Sequence, residues 1–167
     1  MATRISSPPL PGTDGAMHPI APSDSTRFTA VVFFAHHCPC QAAHDARLRE
    51  IDAIYRPKGV NLVLVDSEGG ASAEHDLAEA ATRDYPFPIL IDRGGVLAHK
   101  LGAEYATETF VLDRFGDVRY HGGIDSDKRT LHDNAQPYLR DALDDLLAGV
   151  PVRNAETKAL GCSLQTW

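Results

Sequence analysis

Compact apolar runs alternate along the chain with amphipathic stretches, and the two periods assign its elements. Phe28 to Ala35 is an almost continuous apolar run rich in Val and Phe, as expected of a central strand covered on both faces. Gln41 to Tyr55 then places Leu48, Ile51, Ile54 and Tyr55 at helical spacing, and Pro57 and Gly59 end that helix. Val60 to Val65 reads as a second buried strand. Ser72 can cap a helix running to about Tyr85, with Leu77, Ala80 and Ala81 on its inner side. Pro86 and Pro88 break it ahead of a short strand, Ile89 to Ile91, and a turn at Asp92-Arg93-Gly94-Gly95. A short helix carries Val96, Leu97 and Leu101 to Gly102. Thr109 to Leu112 and Val118 to His121 flank Asp113-Arg114-Phe115-Gly116 and predict an antiparallel hairpin. Pro137 opens a last helix through Leu139, Leu143, Leu146 and Leu147, stopped by Gly149 and Pro151. The order predicts an α/β protein: parallel strands joined by a helical crossover, a hairpin antiparallel beside them, and helices on both faces of one mixed sheet.

The two ends look different. Residues 1–25 are rich in Pro, Gly, Ser and Thr without periodicity and predict a flexible or surface-draped arm. Residues 26–150 form the predicted domain, and 151–167 a tail that carries Cys162. A chain of 167 residues fits one domain large enough for a real core. Its formal net charge of −7 argues against nucleic-acid or anionic-membrane partners, which ask for clustered Lys and Arg. No window reaches the length of a membrane-spanning helix, and the first residues lack the apolar core of a signal peptide, so a cytoplasmic location is expected. Three cysteines, an odd number, do not make a disulfide framework; in a reducing compartment they read as chemistry or as metal ligands.

Two of those cysteines sit in Cys38-Pro39-Cys40, between the first strand and the first helix. There backbone N–H groups have no intrahelical partner and the helix dipole favours negative charge, so a thiol ionises more readily into its reactive form. Pro39 suits the first helical position, which makes Cys38 the N-cap and the candidate nucleophile, with His36 and His37 able to add positive charge. Cys40 is the adjacent resolving candidate, although side chains two apart on a helix do not face each other. Cys162 either folds back to resolve Cys38 or stays a tail thiol without a partner; Leu164 and Trp167 favour docking. A rival reading takes Cys38, Cys40 and His44 as a Cu(I) or Zn(II) site, since Cys40 and His44 share a helix face at i and i+4. The remaining histidines read as surface, Asp125 and Asp127 as turn residues, and Asp76 and Asp145 as parts of solvated faces.

Several segments together carry a family resemblance. They are Phe33-Phe34-Ala35-His36-His37-Cys38-Pro39-Cys40, Phe87-Pro88-Ile89-Leu90-Ile91-Asp92, Gly102-Ala103 followed by Phe110-Val111-Leu112-Asp113, Tyr120-His121-Gly122-Gly123-Ile124-Asp125, and Glu156 to Cys162 in the tail. On these the chain resembles the thioredoxin-like redoxins, relatives of the thiol-specific antioxidant proteins, and its tail is similar to that of a bacterial redoxin subgroup. The resemblance implies a thioredoxin-like three-layer α/β/α sandwich and thiol redox chemistry. It also shows departures. Peroxiredoxins typically carry Thr or Ser three residues before the reactive cysteine and Pro seven before it; here Ala35 and Val31 stand there. Thioredoxins have two residues between their cysteines, and here only Pro39 lies between. Thr107 stands where the related oxidoreductases place a cis-proline, and a trans bond is expected before it. The combined expectation is a thiol–disulfide oxidoreductase using Cys38 with Cys40 or Cys162, needing no organic cofactor or metal. Its partners would be a disulfide or peroxide substrate and a thiol electron donor. The alternatives are a peroxiredoxin-like antioxidant peroxidase and a metal carrier on the same fold.

Overall fold

The second strand to be laid down decides the architecture. In the computed structural model, which describes residues 3–24 and 26–166, β3 (Phe28–Phe34) pairs in parallel with β4 (Val60–Asp66), and α1 (Pro39–Tyr55) makes the crossover between them. Strand β5 (Ile89–Ile91) adds in parallel to the free edge of β4, after α2 (Ala73–Thr82). The hairpin β6 (Thr109–Asp113) and β7 (Val118–Gly122) joins the other edge antiparallel, giving the order β5-β4-β3-β6-β7. Two further helices, α3 (Val96–Leu101) and α4 (Tyr138–Ala148), complete the layers. This is the mixed-sheet, thioredoxin-like α/β sandwich that the hydrophobic pattern implies.

Residues of β3 are buried on both faces, and their alternation divides the core in two. Ala30, Val32 and Phe34 face Leu48, Ile51 and Tyr55 of α1 and Leu139, Leu143 and Leu146 of α4. Val31 and Phe33 face Leu97 and Ala98 of α3, together with Ile5, Leu10, Ile20 and Ala21. Residues 3–24 drape over this face of the sheet, the second of the two expectations for the segment. The six-residue α3 is too short to cover its face of the sheet, and the N-terminal segment completes the layer. It does so through the small pair β1 (Leu10–Pro11) and β2 (Met17–His18), and through bridges from Arg4 to Asp117 and from Gly12 to Leu90. Each fully buried Val or Leu side chain contributes about 1.5–3 kcal/mol, so Ile5, Leu10 and Ile20 outweigh the segment's poor secondary-structure propensity.

Helix phases differ from the expected ones in two places. On α2, Leu77 is 54% exposed and Asp76 points inward, fully buried, so the inner face is turned by one residue. On α4, Asp145 is buried because Arg153 closes over it at 2.8 and 3.0 Å. In both cases a polar partner or pocket, invisible to periodicity, takes the carboxylate in. Capping went as expected: the Ser72 hydroxyl accepts the His75 N–H at 3.2 Å at the start of α2.

Helix α1 is fixed from below by a buried ionic network. Asp125 and Asp127 are not simple turn residues. Arg47 donates to Asp125 Oδ2 at 2.7 Å, to Asp127 Oδ2 at 2.8 Å and to the His132 carbonyl at 3.0 Å. His44 bridges the Cys40 carbonyl (2.8 Å from Nδ1) and Asp125 Oδ1 (2.9 Å from Nε2). A carbonyl and a carboxylate can only accept, so both bonds form when both ring nitrogens carry protons. Burial works against that cation, but the Asp125 carboxylate and the Cys40 carbonyl outweigh it and raise the His44 pKa above 6.5. Burial likewise opposes the Asp125 carboxylate, and His44 and Arg47 overcome it, lowering its pKa below 3.8. The His44 contribution to stability is full below about pH 6.5 and fades as pH rises through its folded value; that of Asp125 is full above about pH 4 and fades on acidification. Asp125→Ala should therefore cost about 3 kcal/mol in urea unfolding at pH 5.5. The gap to the unaltered protein should narrow at pH 9, and a gap that widened there would contradict the charged-pair account.

Candidate active site

Strand β3 delivers the chain to the C-terminal edge of the sheet, and a turn with His37 in the left-handed region (φ 56) brings it into α1. Cys38 is the N-cap in an extended conformation (φ −94, ψ 113) and Pro39 opens the helix, as the spacing predicts. Both thiols are buried: Cys38 is 2% exposed and Cys40 is fully enclosed. The Cys38 sulfur makes no regular cap hydrogen bond with its own helix, yet it lies close enough to the free amides there to be stabilised by them.

The tail lies firmly across this edge. Thr157 pairs with His121 through the backbone, and its hydroxyl meets the Tyr120 hydroxyl at 2.7 Å and the Gly123 N–H at 3.1 Å. Further on, the Ala106 N–H donates to the Cys162 carbonyl at 2.8 Å and the Leu164 N–H to the Glu104 carbonyl at 2.9 Å. The Gly69 N–H donates to the Gln165 carbonyl at 2.8 Å. Gly161 is required by close approach, since a Cβ there would stand 1.8 Å from the Ala106 carbonyl oxygen. Trp167, expected to favour docking, lies outside the described residues.

The loop that receives the tail is itself pinned. Buried Glu108 accepts the N–H groups of Glu104 (2.6 Å) and Tyr105 (3.0 Å) on one oxygen and meets His121 Nε2 at 2.6 Å on the other. Thr107 is trans, as expected, but has φ 68, a region a β-branched residue enters at a cost of about 1–3 kcal/mol. The Thr107 N–H bond to the Phe33 carbonyl at 2.8 Å holds it there.

These contacts place the Cys162 sulfur 2.7 Å from that of Cys38, and the three sulfurs lie within 4.8 Å of one another. Cys38 and Cys162 are both free thiols, and their sulfurs face each other directly. Burial pushes the Cys38 pKa up, but the Cys162 thiol and the amides of Gln41, Cys162 and Cys40 more than offset it, and the net shift is downward from 9.0. Burial, and then the hydrogen bond and charge of Cys38, push Cys162 up to about 11. The pair is therefore polarised: Cys38 ionises the more readily and Cys162 holds its proton the more tightly.

Other expected site residues are placed elsewhere. The His36 ring turns to Asp76 (2.6 Å) rather than to Cys38. His44 has both nitrogens committed and is not free to ligate a metal, which removes it from the proposed Cys38, Cys40 and His44 set. Three residues that matter here escape a reading of the sequence. Glu108 and Gly161 hold the tail, and Gln41 is fully buried in the first turn of α1 with neither amide atom hydrogen-bonded among the described residues. Only Gly161 had a signal, as a glycine next to a tail cysteine.

Residues 12–136 match the Redoxin family model. The chain belongs to the Redoxin family. Among solved structures, this redoxin is similar to an uncharacterized conserved protein from Geobacillus kaustophilus (26% identity, TM-score 0.88, covering 100% of this chain and 92% of that one). It also shares the fold of a hypothetical protein from Sinorhizobium meliloti (24%, 0.89, 100% and 94%). The fold extends at lower similarity to Peroxidoxin BcpB from Mycobacterium tuberculosis (16%, 0.64, 88% and 93%). No curated protein matches the chain at a significant level. Membership places its general activity among thiol oxidoreductases and peroxiredoxin-type proteins. No helix of the described residues is long and apolar enough to cross a membrane.

The polarised pair makes a graded expectation for alkylation. In the reduced redoxin, iodoacetamide should modify Cys38 at lower pH than Cys162, and Gly161→Ala, which pushes the tail off the Ala106 carbonyl, should move the Cys38 phase to higher pH. An unchanged Cys38 profile in Gly161→Ala would show that the tail does not stabilise the thiolate.

Proposed function

We propose that this redoxin is a thiol–disulfide oxidoreductase in which Cys38 is the nucleophile and Cys162, rather than Cys40, is the resolving thiol. The 2.7 Å contact between the two sulfurs carries the reading. Cys40 is two residues along the same helix, where side chains diverge, and a direct bond to Cys38 would require unwinding the first turn. In the first step the Cys38 thiolate attacks a substrate disulfide; its bond to one sulfur forms, the substrate's sulfur–sulfur bond breaks, and the other half leaves as a thiolate. Cys162 then attacks the Cys38 sulfur, forms the Cys38–Cys162 disulfide and expels the second half, its proton passing to the departing thiolate. The substrate gains two electrons and the protein loses them, so a thiol donor such as glutathione or a thioredoxin-type reductant must restore the pair.

Peroxidase turnover is expected to be weak, because Ala35 presents a buried methyl where a hydroxyl would orient the peroxide. Stopped-flow oxidation by hydrogen peroxide as fast as that of dedicated peroxiredoxins would contradict this. A second reading, a carrier of Cu(I) or Zn(II), has one observation in its favour, the convergence of three sulfurs. It predicts that one bound ion shields all three cysteines from alkylation.

The mechanism is tested with oxidised glutathione followed by intact-mass measurement. The native protein and Cys40→Ser should pass to the intramolecular disulfide without holding an adduct, whereas Cys162→Ser should accumulate glutathione on Cys38, and Cys38→Ser should not react. Accumulation of the adduct in Cys40→Ser, with none in Cys162→Ser, would assign resolution to Cys40 instead.

A further inference from the structure

Next to the thiols, but using none of them, a second group of ionisable side chains converges. His36 follows β3, Asp66 ends β4 and Asp76 sits in the first turn of α2. Their ligand atoms lie within 4.8 Å of one another. His36 Nε2 stands 2.6 Å from Asp76 Oδ1 and 3.7 Å from Asp66 Oδ2, and Nδ1 is 3.5 Å from Glu79 Oε1. Asp66 and Asp76 are both fully buried. The second oxygen of each, Oδ2, has no hydrogen-bond partner. Two buried carboxylates, with Glu68 and Glu79 beside them, face a single imidazole that can neutralise at most one of them. A stable fold does not leave two buried acceptor oxygens bare without compensation, since each costs about 1–3 kcal/mol. His36 and Asp66 lie on the wall of a cleft of about 460 Å³ that Glu68, Glu79 and His75 also line, with Asp76 buried behind them, so an ion has a polar path in.

We propose that His36, Asp66 and Asp76 form a binding site for a divalent cation that prefers nitrogen and oxygen ligands, of the Mn(II), Fe(II) or Zn(II) class. One imidazole and two carboxylates, with no sulfur, are the donor set such ions accept. Ligands at ~2.1 Å from a shared ion stand about 3.0–3.4 Å apart, and the observed 2.6 and 3.7 Å bracket that spacing. The ion would take up the orphaned Asp66 Oδ2 and the Asp76 carboxylate, whose second oxygen is orphaned too. Asp66 Oδ1 is already oriented by the Glu68 N–H at 2.9 Å, which leaves Oδ2 as the ligand atom. The site is separate from the three-sulfur cluster, and it needs neither redox chemistry nor a change of backbone.

Mn(II) is the probe of choice, because it binds thiols poorly and loses its free-ion EPR signal when bound. Titrating it into the full chain should show one ion per chain, with the same affinity when all three cysteines are replaced by Ser. Asp66→Asn, Asp76→Asn and His36→Gln should each weaken binding at least tenfold, whereas Glu74→Gln, at an exposed acid on the same helix, should not. Thermal melts run alongside check folding, and Mn(II) should raise the melting temperature of the native chain but not of those three variants. Should Asp66→Asn fail to fold, Asp76→Asn and His36→Gln decide the matter. Absence of Mn(II) binding, or equal weakening by Glu74→Gln, overturns the proposal and leaves the carboxylates as a pair that shares a proton.

Discussion

The close approach of Gly161 to the Ala106 carbonyl is the contact on which the site depends. It lets the tail run as an added strand against the loop at 104–107, and that pairing sets the position of Cys162 with backbone precision. Every other feature of the site serves this seam. Glu108 secures the loop from beneath, the Phe33 carbonyl holds Thr107 in a strained conformation, and Thr157 ties the start of the tail to β7. A thiol carried on a loose terminus would meet Cys38 at a low effective concentration. One held at 2.7 Å needs no search.

The same seam explains the asymmetry of the two thiols. A helix N-terminus alone stabilises a thiolate modestly, and burial opposes it. Here the tail adds a thiol donor and an amide to the N-cap sulfur, and together with the helix amides they lower the Cys38 pKa despite its burial. The donor is correspondingly hard to ionise. In the proposed reaction attack and resolution are divided between the sulfurs by position, and neither nearby histidine faces them: His36 meets Asp76, and His44 on α1 is held by Asp125.

Much of the fold was legible in the sequence. Continuous apolar runs at β3 and β4, helical spacing in α1 and the glycine-containing hairpin turn are local signals that tertiary contacts reinforced. Cys38-Pro39-Cys40 was legible for the same reason, since capping and proline position are local too. What failed was non-local. The proline-rich N-terminal segment has no period, and only the uncovered face beside the short α3 gives Ile5, Leu10 and Ile20 a place to bury. Asp76, Asp125 and Asp145 look solvated until their partners arrive from 8 to 81 residues away. Cys162 is one of two resolving candidates in the sequence, but it lies 124 residues from Cys38 and no spacing rule spans that distance to choose between them.

Which two sulfurs join when the protein is oxidised decides between the two resolving thiols. One equivalent of a mild oxidant, followed by alkylation of the remaining thiol, proteolysis and mass spectrometry of the linked peptides, reads this directly. A bond between Cys38 and Cys162 with Cys40 alkylated is the predicted result. A bond between Cys38 and Cys40 with Cys162 alkylated would contradict it.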